Sequence, residues 1–554
     1  MNLLEEPWIP VRTAQGRRRR IAPHEITDGI DTDPIVRLDA PRADFNGALM
    51  QFLIGLVQTA WARAGRRWDR TAMLFDPPSP DALREAFLPL RAAFEFDGDG
   101  TRFMQDATLG AADAPAENGI AALLIESPGE QATERNTDHF VKRGRAAALC
   151  PACAATALFT LMTNAPSGGA GHRTSLRGGG PLTTLLLYDA ESPDDPPPAL
   201  WRDVASNVLD PRHLKPKSDK DLSAPKFTFP WLAPISELQP RAETQPLDVH
   251  PCQMYWAMPR RIRLDFSNVL SGTCALCGEA SDHLVTRYLT KNYGMNYKGP
   301  WRHPLSPYQA GKADEPPLPM HPQPGGLGYR HWLGWVLGLN TPGKRIEPAR
   351  VIQACLAEQP TANFRLWAFG YDMDNMKARC WYESTFPLFE LSGGDDARDA
   401  LRAIVDSLLQ PAELAAFQLR CAVRDAWFGA AGARGDLTFV DASFWSATEA
   451  AFFQHVREAA ALANSEGRGA YEASLALRRR WLGVLQSTAY RLFEQHAGDA
   501  AAGAIRPERL ALAHATLRSQ LHGAKLAAAA GLEIERQPGK AKSTRKKQAE
   551  PQGV

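Results

Sequence analysis

The sequence predicts an α+β chain: a large N-terminal part of mixed strands and helices, then an antiparallel helical bundle. Three observations predict it. With 43 glycines and 43 prolines, much of the chain must be loops and irregular strands. The first 390 residues alternate short apolar helices with β-branched runs. After Gly393-Gly394, amphipathic helices follow one another with short connections. The expected division is 1–390 as a mixed α/β domain, 391–535 as a bundle, and 536–554 as a basic, disordered tail.

At 554 residues the chain is long enough for more than one domain. Its net charge of +1 excludes a generic polyanion binder, so any nucleic-acid contact must be local. No run of 18 apolar residues suggests a membrane span. The start, with Glu5 and Glu6, does not read as a leader. Eight cysteines, four of them in two pairs, suit metal thiolates in a reducing cytoplasm rather than disulfides.

Taken in order, Met1–Arg12 is a short apolar segment bracketed by prolines, and Arg17–Arg20 reads as a solvated turn. Asp44 looks like an N-cap before Phe45, Leu49, Phe52, Leu53, Leu56 and Val57, an amphipathic helix facing a core. Pro80–Phe94 is a further helix. Residues 126–145 form a polar loop with Phe140 as its one large apolar residue. Cys150-Pro-Ala-Cys153 precedes a short buried helix, and Pro181–Tyr188 is a buried strand. Between them lie two glycine clusters, Gly168-Gly169-Ala170-Gly171 and Gly178-Gly179-Gly180, flanking His172, Arg173 and Arg177. Glycines beside arginines let a backbone approach phosphate or a base edge, though a plain surface loop reads the same way. No Gly-Lys-Ser/Thr closes a P-loop.

The second pair, Cys274-Ala-Leu-Cys277-Gly278, has the form of a zinc knuckle. In Arg287–Lys298, Tyr288, Tyr293 and Tyr297 interleave with Arg287, Lys291 and Lys298, a pattern of nucleic-acid contacts and of half-buried strands alike. Leu366–Trp381 begins strand-like and turns polar at Asp372–Lys377. In the bundle, Leu401, Ile404, Val405 and Leu408 mark one helix. Pro411 opens a second, with Leu414, Phe417 and Cys421 on its face. Ser446-Ala-Thr-Glu449 resembles a capping box before Phe452. Leu475–Leu485 and Pro507–Leu521 mark two more helices.

Cys150, Cys153, Cys274 and Cys277 are expected to share one structural zinc, since four thiolates leave no position for water. Cys252, Cys355, Cys380 and Cys421 read as core. No His-Glu-x-x-His, Gly-x-Ser-x-Gly or Walker pattern appears, so no enzyme activity is expected. Of 13 histidines, only His172 and His303 invite attention, each as a surface residue first.

The chain resembles the CasA family, the large subunit of the type I-E CRISPR Cascade complex. The resemblance rests on Met1-Asn-Leu-Leu, Trp8-Ile-Pro-Val-Arg12, Arg42-Ala-Asp-Phe45, the two cysteine pairs, and Asn164-Ala-Pro166 with the glycine loop. Leu176-Arg-Gly-Gly179, Trp301-x-His-Pro304 and Gly370-Tyr371 extend it. It implies a large mixed domain followed by a four-helix bundle. It implies a non-catalytic subunit that works with the other Cascade subunits and crRNA. Such a subunit reads the protospacer-adjacent motif in duplex DNA, helps unwind it, holds the displaced strand and recruits the helicase-nuclease. Carried onto this chain, the family's glycine loop falls on Ser167, Gly168, Gly169, Ala170 and Gly171, with Arg173 beside it. The lysine hairpin falls near Lys291, the wedge on Asn375, Met376 and Lys377, and the mobile-loop aromatic on Phe140. Ala170 interrupts the glycine run, and no glutamine stands in the wedge. The rival readings are a zinc-dependent hydrolase or nuclease and a purely structural scaffold.

Overall fold

The computed structural model describes residues 1–110, 115–129, 134–135, 144–168, 171–190, 195–239, 241–311, 315–341, 343–358, 362–374, 377–428, 435–499 and 507–533. The expected tail, 536–554, lies outside them. The chain divides into two compact units, Met1–Gly394 and Asp395–Val554. Among the described residues no helix is long and apolar enough to cross a membrane.

The first unit is built around α1 (Ala43–Ala64). The expected amphipathic helix is instead buried all round: from Asp44 to Trp61 only Asn46 is not fully covered. Its second face carries Gly47, Gln51, Gly55 and Gln58, small or amide residues that a hydropathy pattern reads as solvent-facing. Gln58 shows how such residues are accommodated. Its side chain donates to Leu209 O at 2.9 Å and accepts from Leu209 N–H at 2.7 Å, so no polar atom is stranded. Phe52 is the hub of the core. Its ring meets Trp8, Phe94, Phe103, Phe159 and Trp256 edge-on at centroid distances of 5.3–5.9 Å. The buried indoles keep partners: Trp8 donates to Leu3 O at 2.8 Å and Trp256 to Thr59 Oγ1 at 2.9 Å.

Asp44 is not the N-cap. Arg42 occupies that position, and Asp44 lies inside the first turn with its carboxylate engaged elsewhere. The run at 17–20 is not a turn either. Strand β2 (Arg18–Ile21) pairs with β1 (Ile9–Thr13), which pairs in turn with β3 (Ile35–Leu38). Each arginine faces an acid: Arg17 Asp33, Arg18 Asp39 (which Arg12 also binds), Arg19 Asp28, Arg20 Glu279. That pairing removes the run as a phosphate patch.

Among the described residues every strand pairing in the sheets is antiparallel. Short β4 (Ala116–Gly119) flanks one sheet, and β5 (Thr183–Asp189) edges another. β6 (Arg261–Leu264) precedes the ribbon of β7 (Leu270–Thr273) and β8 (Ala280–Leu284), and β9 (Arg287–Lys291) lies between β4 and β6. A four-stranded sheet joins β10 (Tyr308–Ala310), β11 (Leu318–Pro319), β12 (Leu339–Thr341) and β13 (Lys344–Glu347). The longest strands, β14 (Asn363–Asp374) and β15 (Lys377–Pro387), form a hairpin whose first arm pairs with β5. Helix α2 (Pro151–Asn164) carries the first cysteine pair.

The second unit is helical: α3 (Gly394–Phe428), α4 (Thr438–Glu466), α5 (Leu475–Asp499) and α6 (Pro507–Leu521). Two expected helix starts are corrected. Pro411 lies inside α3. The buried stripe Leu401, Ile404, Val405, Leu408, Ala412, Ala415, Leu419, Val423 keeps one helical register through it, so packing outweighs the one hydrogen bond that proline removes. Trp481 Nε1 donates to Leu408 O at 2.8 Å, occupying a carbonyl of the disturbed turn. In this register Phe417 points outward, not into the bundle. The Ser446–Glu449 capping box is passed over because α4 is already running, with Phe444, Thr448 and Phe452 on its buried side.

Candidate functional site

The cysteines meet at the start of α2. Pro151 at the first helical position needs no N–H partner, and Cys150 and Cys153 flank that turn. The second pair sits in the knuckle between β7 and β8. There Gly278 takes a φ of +76° and donates its N–H to Cys274 O at 3.0 Å. Backbone bonds dock the two halves: Ala275 N–H to Ala148 O at 3.0 Å, and Leu149 and Val285 exchanging N–H···O bonds at 2.8 and 2.9 Å. All four sulfurs lie within 4.8 Å of one another. The Cys150–Cys277 sulfur separation is 3.8 Å, the edge of about 3.8 Å expected of a tetrahedron with metal–sulfur bonds of about 2.3 Å. Donor set and spacing fit a four-coordinate metal thiolate with no open position.

Protons are unevenly held there. Cys150 is pushed up: its bond with Cys153 lowers it, while Cys274 and burial raise it more. Hydrogen bonding from Cys153 draws Cys277 down. A bound cation favours the thiolate form of all four. Arg20, which no local pattern singles out, is part of this centre. Its Nη2 stands 3.5 Å from Cys277 Sγ and 2.7 Å from Glu279. A guanidinium there would offset the net negative charge of four thiolates were they to hold a divalent ion.

The sulfur cluster and the glycine loop lie at opposite ends of α2, roughly 21 Å apart along a 14-residue helix. Strand β9 also leaves the cluster, just after Val285, and reaches the loop. At the far end Tyr293 N–H donates to Gly171 O at 2.9 Å. Gly171 is required there. Its φ is +78°, and an added Cβ would stand 2.6 Å from Asn292 Cβ. Arg260 braces the loop, bonding Pro166 O and, at 2.5 Å, His172 Nδ1; burial first, then this cation, pulls His172 below its ordinary pKa. A helix and a strand thus meet at both ends, docked beside the cysteine cluster by backbone hydrogen bonds at one and by the Tyr293–Gly171 bond at the other.

Ser167, Gly168, Gly171, Arg173 and Lys291 therefore gather in one place, and Lys291 is exposed. Gly169, Ala170, Phe140, Asn375 and Met376 lie outside the described residues. Lys377 is exposed at the start of β15. Its hairpin meets the second glycine cluster: Gly180 lies against Tyr371 and Met373. Beside the tip, Arg379 binds Asp372 at 2.7 Å and Asp374 at 3.6 Å. His303 is not a surface residue; it is 3 % exposed, and burial then Arg177 hold it well below its ordinary pKa. Cys252 and Cys355 are buried as expected, while Cys380 and Cys421 are half-buried.

Two motifs far apart in sequence form one network. Arg42 binds Glu126 at 2.6 and 2.8 Å and Asp44 at 2.9 and 3.0 Å, and Tyr371 donates to Asp44 at 2.6 Å. This ties α1 and β14 to the root of the 126–145 segment. Tyr371→Phe is expected to cost about 1.5–3 kcal/mol, the range for a hydrogen bond to a charged group. A urea unfolding curve of the chain measures it.

A family model described as CRISPR-associated protein Cse1 matches residues 2–492. Solved structures with a similar fold include Thermus thermophilus CasA (Cse1), at 16% identity and a TM-score of 0.62, covering 94% of this chain and 99% of that one. Thermobifida fusca Cse1 is 16% identical with a TM-score of 0.64, over 96% and 98% of the two chains. A chain of a CRISPR RNA-guided surveillance complex is also similar, at 16% identity and a TM-score of 0.64 over 94% and 99%.

Proposed function

Because the chain belongs to the CRISPR-associated Cse1 family, we propose that it is the large subunit of a crRNA-guided Cascade complex that reads a short motif in duplex DNA. It is similar along nearly its whole length to a chain of such a complex. The observation that carries the DNA-reading part is the join of Gly171 to Tyr293, which sets a slender glycine backbone beside exposed Lys291. A narrow minor groove admits backbone and single cations but not a helix. The sequence itself is delegated to the guide, as in other RNA-guided effectors. That division of labour suits a chain with a net charge of +1.

The ion is zinc, held by Cys150, Cys153, Cys274 and Cys277. When bound it supplies a structural clamp, because four thiolates close its coordination sphere; this argues against a zinc hydrolase, which needs a water ligand. The wedge of Asn375, Met376 and Lys377 then unstacks the first base step, as apolar wedges do elsewhere, and Phe140 contacts partner or target. The subunit holds the displaced strand and recruits the helicase-nuclease, in the cytoplasm and without catalysing a step itself.

The test is reconstitution. Added to a crRNA-loaded complex lacking its large subunit, the chain should confer motif-dependent duplex binding and allow the helicase-nuclease to join after DNA is bound. Lys291→Ala and Asn375→Ala should weaken duplex binding while assembly is retained. Wild-type binding by both variants would favour a scaffold.

A further inference from the structure

We propose that Tyr293 and Arg173 form a stacking platform for a nucleobase that has left the duplex, a role that rests on the DNA-reading function above. Three tyrosines interleave with cations in 287–298, and the fold separates them. Tyr288 is 6 % exposed, and Tyr297 is half-buried, its hydroxyl turned inward to accept from Met258 N–H at 3.0 Å. Tyr293 is 61 % exposed, among the most exposed large apolar side chains described.

Its exposure is enforced. Tyr293 takes a φ of +67°, in the left-handed region that a bulky residue rarely adopts. Its N–H is bonded to Gly171 O, so the glycine loop holds it in that conformation. Strain of this kind persists where surrounding structure over-determines it, and it concentrates at ligand sites. The Arg173 guanidinium lies 5.6 Å from the ring centroid. Arg173 Nε is shielded from solvent with no hydrogen-bond partner among the described residues. Aromatic ring and cation are therefore held together at the surface, beside exposed Lys291.

A base inside a duplex has both faces covered by its neighbours. The ligand that fits a ring backed by a guanidinium is an unstacked base, with its phosphate near Lys291. Stacking of this sort tolerates any base, since each has a π-face. The platform would keep the first opened nucleotide from closing back into the helix.

The test uses the crRNA-loaded complex with two targets, one fully paired and one opened by mismatches beside the motif, with 2-aminopurine at the first unpaired position. Tyr293→Asn removes the ring but suits the left-handed turn, and Tyr293→Phe keeps the ring. Wild type and Tyr293→Phe should quench 2-aminopurine on binding. Tyr293→Asn should lose the quench and bind the opened target roughly tenfold more weakly, as expected for one base–aromatic stack. Its melting temperature should not fall. If Tyr293→Asn quenches and binds as wild type while Lys291→Ala is weakened, the platform is wrong and DNA reading stands. If Tyr293→Asn is weakened only on the paired target, the ring touches the groove and the platform is again wrong. If both variants bind as wild type, the DNA-reading function falls, and the platform with it.

Discussion

A Cys277→Ser chain is expected to lose its zinc and much of the stability of the N-terminal unit. A serine hydroxyl stays protonated near neutral pH and is a poor ligand for zinc, whereas the thiolate is a strong one. Without the ion, three buried thiols are left within 4.8 Å of one another, sharing protons among groups that burial disfavours as anions. Arg20 then loses the negative charge it faces at 3.5 Å. Structural zinc contributes on the order of 10 kcal/mol to folding in small zinc-finger peptides. Here a separate aromatic core around Phe52 remains, so the expected loss is smaller, more than about 4 kcal/mol, where loss of a bound metal belongs. Elemental analysis should find one zinc per wild-type chain and far less in the variant, and a thermal melt should show the first unit unfolding earlier. A variant without metal that melts like wild type would contradict the structural role.

A Gly171→Val chain is expected to fold, assemble and fail at motif recognition. Valine adds a branched Cβ at a φ of +78°, where its atoms would press on Asn292 at 2.6 Å and on the Tyr293 ring at 3.2 Å. The strain of a bulky residue in the left-handed region is about 1–3 kcal/mol, and the overlap adds to it. The cheapest relief is to part the loop from the 291–294 turn, breaking the Tyr293–Gly171 bond. The sulfur cluster at the other end of α2 is untouched, so the melting temperature should move little. Duplex binding by the assembled complex should weaken at least about tenfold, which corresponds to about 1.4 kcal/mol of binding free energy. Unchanged affinity for a motif-bearing duplex would mean that the loop and the turn do not act together.

What local pattern encodes was legible in the sequence. The cysteine spacing pointed to four ligands, and the glycine clusters with the 287–298 stretch pointed to the segments that meet. The helices of the second unit were found by their apolar period, and Pro507 marked the start of the last one, but two other starts were misplaced. Pro411 and Ser446–Glu449 are local stop and start signals that a long packed stripe overrides, which only the assembled bundle reveals. Helix α1 misled for a related reason, because amides and glycines on its second face looked solvent-facing while being covered and hydrogen-bonded. Arg20 beside the cysteine cluster and the Arg42–Glu126–Asp44–Tyr371 network were invisible. Each joins residues more than 80 apart in sequence, and an arginine that finds an acid across the fold reads locally like any surface charge. Tyr293 was one of three equal candidates until the fold buried Tyr288 and turned the half-buried Tyr297 inward to Met258.

If the glycine loop and Lys291, brought together at the far end of α2 and β9, read the motif as proposed, Lys291 must lie on the motif's base pairs. The most direct measurement places a photo-crosslinking amino acid at position 291 in the crRNA-loaded complex and maps where it attaches. The expected result is attachment to the base pairs of the motif at the edge of the target, lost when the motif is changed and reduced in the Gly171→Val chain. Attachment to protein subunits alone, or equal attachment to duplexes with and without the motif, would contradict it.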